Sequence, residues 1–258
     1  DAATKALAEK GAELVAVERN PLDAVWSDQP APSPARMAIH PDQFTGKSSA
    51  EKRADVADWL TEKGLDATIV SALDSVAWLF NVRGSDVDRT PVALSFAVVG
   101  QDGAADLYVA PEKVDDAVRQ HLGNAVRVHN RSEFAPALTG LAGKKVAVDP
   151  ERSVSAIFGA LKAGGAEIVE LRDPTVLAKA LKNPIEQAGH RAAQKRDGAA
   201  LSHFLHWVSV EAPKGSVTEL LAAERLQAFR AATGKLKDLS FDTISGAGPN
   251  GAVVHYRV

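Results

Sequence analysis

Apolar positions recur with two different periods along this chain, and the period changes near residue 180. Ser48-Ser-Ala-Glu51 has the form of a capping box, in which a serine hydroxyl and a glutamate each satisfy an orphan N–H. Val56, Trp59 and Leu60 then continue one helical face, and Gly64 is suited to close it. Ala67 to Val70 is β-branched and strand-like, and Leu73 to Phe80 reads as a short apolar helix. Leu94–Val99 and Asp106–Val109 read as strands joined through Asp102-Gly103, a hairpin signal. Pro111 suits the first position of a helix that closes near Gly123. Val126–Val128, Val146–Val148 and Ile168-Val169 are further short strands, and Ser153–Ala163 is a helix ended by Gly164-Gly165. Helices alternating with strands, plus one hairpin, predict an α/β domain with a mixed sheet over residues 36–178.

The two flanks differ from this pattern. Residues 3–10 resemble the end of a helix closed by Gly11, and Glu13–Glu18 alternates as a strand would. Pro30, Pro32 and Pro34 cannot join a helix or an inner strand, so the segment is expected to be a linker. Residues 1–35 then form the tail of a preceding unit plus that linker. On the other side, Asn183-Pro-Ile-Glu186 caps a helix that continues to Pro213, about 40 Å long at 1.5 Å per residue. Ser216-Val-Thr-Glu219 is a second capping box for a helix ending before Gly234. Two long helices over residues 179–258 look like the opening of a further, incomplete domain.

The last stretch, Ser240–Tyr256, reads as strand, glycine-rich turn, strand. Gly246-Ala-Gly248-Pro-Asn-Gly251 matches the dinucleotide-binding pattern literally. That pattern needs a helix opening on its last glycine, and Val253, Val254 and Tyr256 are β-formers instead. A hairpin around Asn250-Gly251, a pair that supplies positive φ cheaply, is the expectation. It would carry His255 on a strand beside small residues that let a ligand approach.

Composition changes this picture by exclusion. The 258 residues are 45% hydrophobic and 24% charged with a net charge of −3, ordinary for a globular chain. Nothing there argues for nucleic acid or an anionic membrane. There is no cysteine, which rules out thiolate chemistry in these residues and fits a reducing, cytoplasmic compartment. No apolar run reaches the length of a membrane span, and the start, DAATKALAEKG, lacks signal-peptide features and an initiator Met, so a cut end is expected.

Among chemical candidates, His203 and His206 share a helix face, but a metal would need further ligands and no H-E-x-x-H spacing is present. Asp86 and Asp88 are either a carboxylate pair or turn residues hydrogen-bonded to the backbone and arginine. Ser153 and Ser155 lack the G-x-S-x-G setting of a hydrolase nucleophile. His255 is the best functional candidate, with a structural histidine as the alternative.

Several blocks resemble the Xaa-Pro aminopeptidase (aminopeptidase P) family, large three-domain type. Ser71–Val99 looks like that family's second-domain signature. AAQKRDGAAL, ending at Leu201, is similar to the run opening its catalytic domain, with Gln194 where the family usually has His. LSFDTISGAGPNGAVVHYR, Leu239–Arg257, is a close match, and Asn20–Trp26 fits the passage out of the first domain. The resemblance implies a creatinase N-terminal-like mixed sheet domain followed by the incomplete start of a pita-bread catalytic domain. It implies a hydrolase that releases the N-terminal residue from Xaa-Pro peptides, two divalent metal ions (commonly manganese) and a homodimer. His255 corresponds to a substrate-binding histidine near the scissile bond. The family's metal ligands follow that position, so the resemblance implies a chain truncated at both ends that holds no metal there and is inactive by itself. The alternatives are a non-catalytic interaction or dimerisation module, or a prolidase-like or creatinase-like sister hydrolase.

Overall fold

The computed structural model describes every residue except Asp1, Ala16, Glu18, Arg19 and Val258, and leaves the side chains of Ala2 and Lys5 undescribed. Helix α1 (Ala2–Ala8) ends in a turn closed by Gly11, which takes the positive φ that glycine tolerates. The strand expected over Glu13–Glu18 is absent from its described residues, and Ala16 and Glu18 lie outside them. Asn20 instead caps a short helix α2 (Pro21–Val25), accepting a hydrogen bond from the Leu22 N–H. Residues 27–37, with the prolines, carry no helix or strand.

The α/β layer then follows in the expected order, with short elements added. Strand β1 (Ala38–Ile39), helix α3 (Asp42–Thr45) and helix α4 (Ser49–Lys63) come first. The capping box at Ser48 and Glu51 forms in full, and Gly64 closes α4 in the left-handed region. Next come β2 (Ala67–Val70), α5 (Leu73–Leu79), β3 (Val82–Arg83), β4 (Ser95–Gly100) and β5 (Ala105–Val109). Strands β4 and β5 pair antiparallel through the Asp102-Gly103 turn, as their sequence implies. Pro111 opens a single 3-10 turn rather than the helix. Helix α6 (Asp116–Leu122) starts later, because Asp115 offers the side-chain acceptor for the Val118 N–H. Strand β6 (Val126–His129), helix α7 (Phe134–Leu138), β7 (Lys145–Val148), α8 (Ser155–Ala163), β8 (Glu167–Glu170) and α9 (Thr175–Ala180) complete the layer.

The main sheet has six strands in the order β6-β5-β4-β2-β7-β8. Strand β4 runs antiparallel to both β2 and β5, while β2/β7, β7/β8 and β5/β6 are parallel. Both faces are covered. Val56 and Leu60 of α4, Val76 and Leu79 of α5, and Val118 and Leu122 of α6 pack with Val70, Val99 and Leu107 on one face. Phe134, Leu138, Ile157 and Leu161 pack with Ile69, Val98, Val146 and Val148 on the other. This sandwiching explains why β2 is buried along its whole length instead of alternating. Each fully buried leucine of this core contributes about 1.5–3 kcal/mol relative to exposure.

Beyond α9, helix α10 (Pro184–Glu211) begins at the Asn183–Glu186 capping box. Its 28 residues span about 42 Å. The Asn183 side chain also donates to the Thr45 carbonyl at 2.7 Å, tying α10 to α3. A Cβ at Gly46 would lie 2.6 Å from Asn183 Oδ1, so the junction requires glycine there. Helix α11 (Glu219–Ala231) lies along α10, held by Arg230 on Asp197 at 2.6 Å and by Arg225 over the Trp207 ring.

Candidate functional site: the cleft beside His255

The Ser240–Tyr256 stretch is not a hairpin. Among the described residues it contains no strand, and neither Asn250 nor Gly251 takes a positive φ. Gly248–Ala252 instead forms a 3-10 turn with Pro249 at its first positions. Two strands alone bury too little to hold a ladder, whereas proline presets the turn's φ. The small residues make room for each other: a Cβ on Gly246 would stand 3.2 Å from the Asn250 carbonyl oxygen. Gly246 and Gly251 thus serve the loop's own fold, while Gly248 has open space around it.

One carboxylate organises this loop. Thr218, not Ser216, caps α11 by accepting from the Leu221 N–H at 3.2 Å. Glu219 is thereby left out of the expected capping box. It accepts from the Ala247 N–H at 2.6 Å and from the Tyr256 hydroxyl at 2.7 Å. Asn250 Nδ2 adds contacts to Glu219 at 3.2 and 3.3 Å and to the Tyr256 oxygen at 3.0 Å. The Tyr256 hydrogen bond comes first among the causes that hold the Glu219 carboxyl below its ordinary range, and the same bond raises the Tyr256 phenol.

His255 follows directly, exposed, with φ of 56°, an uncommon backbone for a residue with a side chain. It lines an open cleft of about 470 Å³ with Leu220, Phe241, Asp242, Ile244 and Arg257. Arg257 reaches Asp242 at 3.5 Å. Arg89, in the turn before β4, crosses to the same segment and donates to Asp238 at 2.8 Å and to Asp242 at 3.1 and 3.2 Å. Thus the α/β layer and α11 each pin one part of the chain around His255. Its imidazole is free to donate a hydrogen bond to an oxygen entering the cleft.

The other candidates resolve as structure. Asp86 forms a buried pair with Lys113 at 2.6 Å and accepts from the Leu94 N–H, so it is held to the backbone as expected but by a lysine in place of an arginine, while Arg83 donates to the Ala77 and Val82 carbonyls instead. Ser153 Oγ meets Ser71 Oγ at 2.9 Å. His203 stacks on Phe229, with ring centroids 6.1 Å apart. Among the described residues no three His, Asp or Glu side chains gather where they could hold a metal, so the donors present do not fit a di-metal centre. Sequence reading did not single out Glu219, Asn250, Tyr256 or Arg89 as site residues. The local sequence assigned Glu219 to a cap, and Arg89 finds its partners about 150 residues away, where no spacing rule applies.

A two-faced mixed sheet leading into a long capped helix and a histidine loop defines a creatinase-like architecture. Residues 28–186 match the Creatinase/Prolidase N-terminal domain, and the chain belongs to that family. Residues 188–258 match Metallopeptidase family M24. A probable Xaa-Pro aminopeptidase P from Aspergillus clavatus is 39% identical over 262 residues, covering 97% of this chain and 40% of that protein. One from Paracoccidioides brasiliensis is 40% identical, covering 96% and 42%. The chain thus spans about two fifths of the length of these curated relatives. The crystal structure of an X-prolyl aminopeptidase from Caenorhabditis elegans, described as a cytosolic enzyme with a di-nuclear active site, superposes with a TM-score of 0.90 at 29% identity, over 98% of this chain and 42% of that one. A prolidase from Thermococcus sibiricus shares the fold, with a TM-score of 0.58 at 18% identity over 82% and 57% of the two chains. Among the described residues no helix is long and apolar enough to cross a membrane.

Proposed function

We propose that this chain is part of a metal-dependent Xaa-Pro aminopeptidase, which releases the N-terminal residue from peptides with proline second. The observation that carries the reading is the likeness to aminopeptidase P relatives over 97% of the chain, beside an M24 match over residues 188–258 that takes in the His255 loop. In the complete enzyme two divalent metal ions, manganese by family likeness, would supply Lewis-acid chemistry at the scissile bond; the described residues do not include a set that would hold them. This chain by itself is therefore expected to be inactive. His255 is the catalytic and substrate-binding residue here. It donates a hydrogen bond to a substrate oxygen from a loop that Glu219 holds in shape. Arg89, acting through Asp238 and Asp242, is a positioning residue for the cleft's other wall. The domain limits follow the same reading: 1–35 as a tail and linker, 36–178 as the second creatinase-like domain, and 179–258 as the start of the pita-bread domain. A cytoplasmic homodimer is the corresponding assembly, with Xaa-Pro peptides as its partners and no role for nucleic acid or membrane.

The test uses the full-length enzyme with added manganese and a tripeptide carrying proline second. Hydrolysis is expected, with His255→Ala lowering kcat/KM by about 10²–10³-fold, the usual effect of losing one oriented donor. Intact peptide from a folded, metal-loaded enzyme would overturn the substrate assignment. Light scattering reads the dimer.

A further inference from the structure

A second cleft, of about 340 Å³, lies between the α/β layer and the start of α10, away from His255. Its charged wall is lopsided. Lys52, Arg83 and Lys182 line it together with His40 and His190, against one carboxylate, Glu186. Lys52 is only 2% exposed. It is oriented by Asn81 Oδ1 at 2.6 Å and the Trp78 carbonyl at 2.9 Å, and sits over the Trp78 ring. Asn81 is itself fully buried, holds a φ of 51° and donates to Asp42, Thr45 and the Lys47 carbonyl. That fixed asparagine sets the lysine's direction. Arg83 donates to the neutral carbonyls of Ala77 and Val82.

Neither Lys52, Arg83 nor Lys182 has a carboxylate partner among the described residues. Lys179, which also lines the cleft, is already paired with Asp74. Glu186 is committed to its helix cap, accepting from the Asn183 N–H at 2.9 Å. Buried cations are ordinarily paired, because their desolvation is costly. Burial is the main reason Lys52 is held down to about 8, with Glu186 and Asp42 opposing and Arg83 adding to it; burial first, then Arg83 and Lys52, hold His40 down to about 4 against Glu186.

We propose that this cleft is a binding site for a phosphate group, with Lys52, Arg83 and Lys182 as its ligands. Two ammonium groups and a guanidinium lining one cleft suit a dianion, which would add to the single carboxylate on this wall. The ligand would touch the α/β layer and, through Lys182, the segment leading into α10, bracing the junction between them.

The test is calorimetric titration of the full chain with inorganic phosphate and separately with glycerol phosphate, at ionic strength matched by chloride. The ring resonances of His40 and His190 are followed in parallel. Saturable binding that moves both histidines is expected, and the tighter of the two probes tells a free ion from a phosphomonoester. Lys182→Glu, at the exposed rim, should weaken binding by about tenfold or more while leaving the thermal midpoint without phosphate unchanged. Arg83→Gln should do the same where it folds. Equal responses to phosphate and chloride would overturn the site. So would binding that leaves His40 and His190 unmoved, or unchanged affinity in Lys182→Glu.

Discussion

Residues 37–176 and residues 184–257 use the same local devices to very different ends. Ser48 with Glu51 caps α4, and Asn183 with Glu186 caps α10, by the same reciprocal pair of hydrogen bonds. Yet among the described residues every buried hydrophobic side chain except Ala200 lies between Met37 and Val176. Helices α10 and α11 leave Leu205, Val210 and Leu220 largely exposed, and Phe241, Ile244 and Val254 in the following loop are exposed too. The α/β layer is held by a sheet covered on both faces. The C-terminal part is held by caps, by Arg230 on Asp197, and by two polar clasps, Glu219 and Arg89. Among the described residues hydrophobic burial dominates the first, and polar contacts together with the α10–α11 packing dominate the second, in a chain that spans about two fifths of its relatives' length.

Substitution should separate the two regimes. Phe80→Ala, in the closed core, should cost about 3–5 kcal/mol in urea unfolding, whereas Leu205→Ala, at 58% exposure, should fall within about 0.5 kcal/mol of the parent. Equal costs would break the distinction. Next, Lys113→Met strands Asp86 as an uncompensated buried charge, and a loss of about 3–5 kcal/mol is expected by the same measurement.

Acid should act on the α/β layer through His40. Burial, with Arg83 and Lys52, depresses its pKa from 6.5 to about 4. The unfolded chain therefore binds the extra proton first, and this contribution is present above pH 6.5 and lost as pH falls towards 4. Thermal midpoints should decline over that window, and His40→Gln should flatten the decline; an unchanged slope would assign it elsewhere. Smaller effects belong to the clasps, which stand in water and are screened. Arg89→Ala should speed amide exchange at 239–247 without changing it in the central strands. Glu219→Gln should lower the Tyr256 phenol towards its ordinary value in an ultraviolet titration, because the bond to the carboxylate is what raises it. Synchronous exchange of loop and sheet in either variant would show one cooperative unit instead of two.

Elements set by neighbours in the chain were readable without coordinates. The capping boxes at Ser48 and Asn183, the Asp102-Gly103 hairpin, the closing Gly64 and the six strands of the main sheet with their intervening helices all depend on spacing within a few residues, whereas the short β3 was not foreseen. Sheet order was not readable in that way. Strand β2 sits between β4 and β7 because of pairings that span the domain, and Lys113 meets Asp86 for the same reason. The His255 loop fell between the two cases. Its β-forming residues and Asn-Gly pair favour a hairpin locally, but Glu219, 28 to 37 residues upstream, gathers Ala247, Asn250 and Tyr256 into a different shape. Local propensity is worth tenths of a kcal/mol per residue. A carboxylate collecting several donors outweighs it, and where that carboxylate stands depends on the packing of α11 against α10.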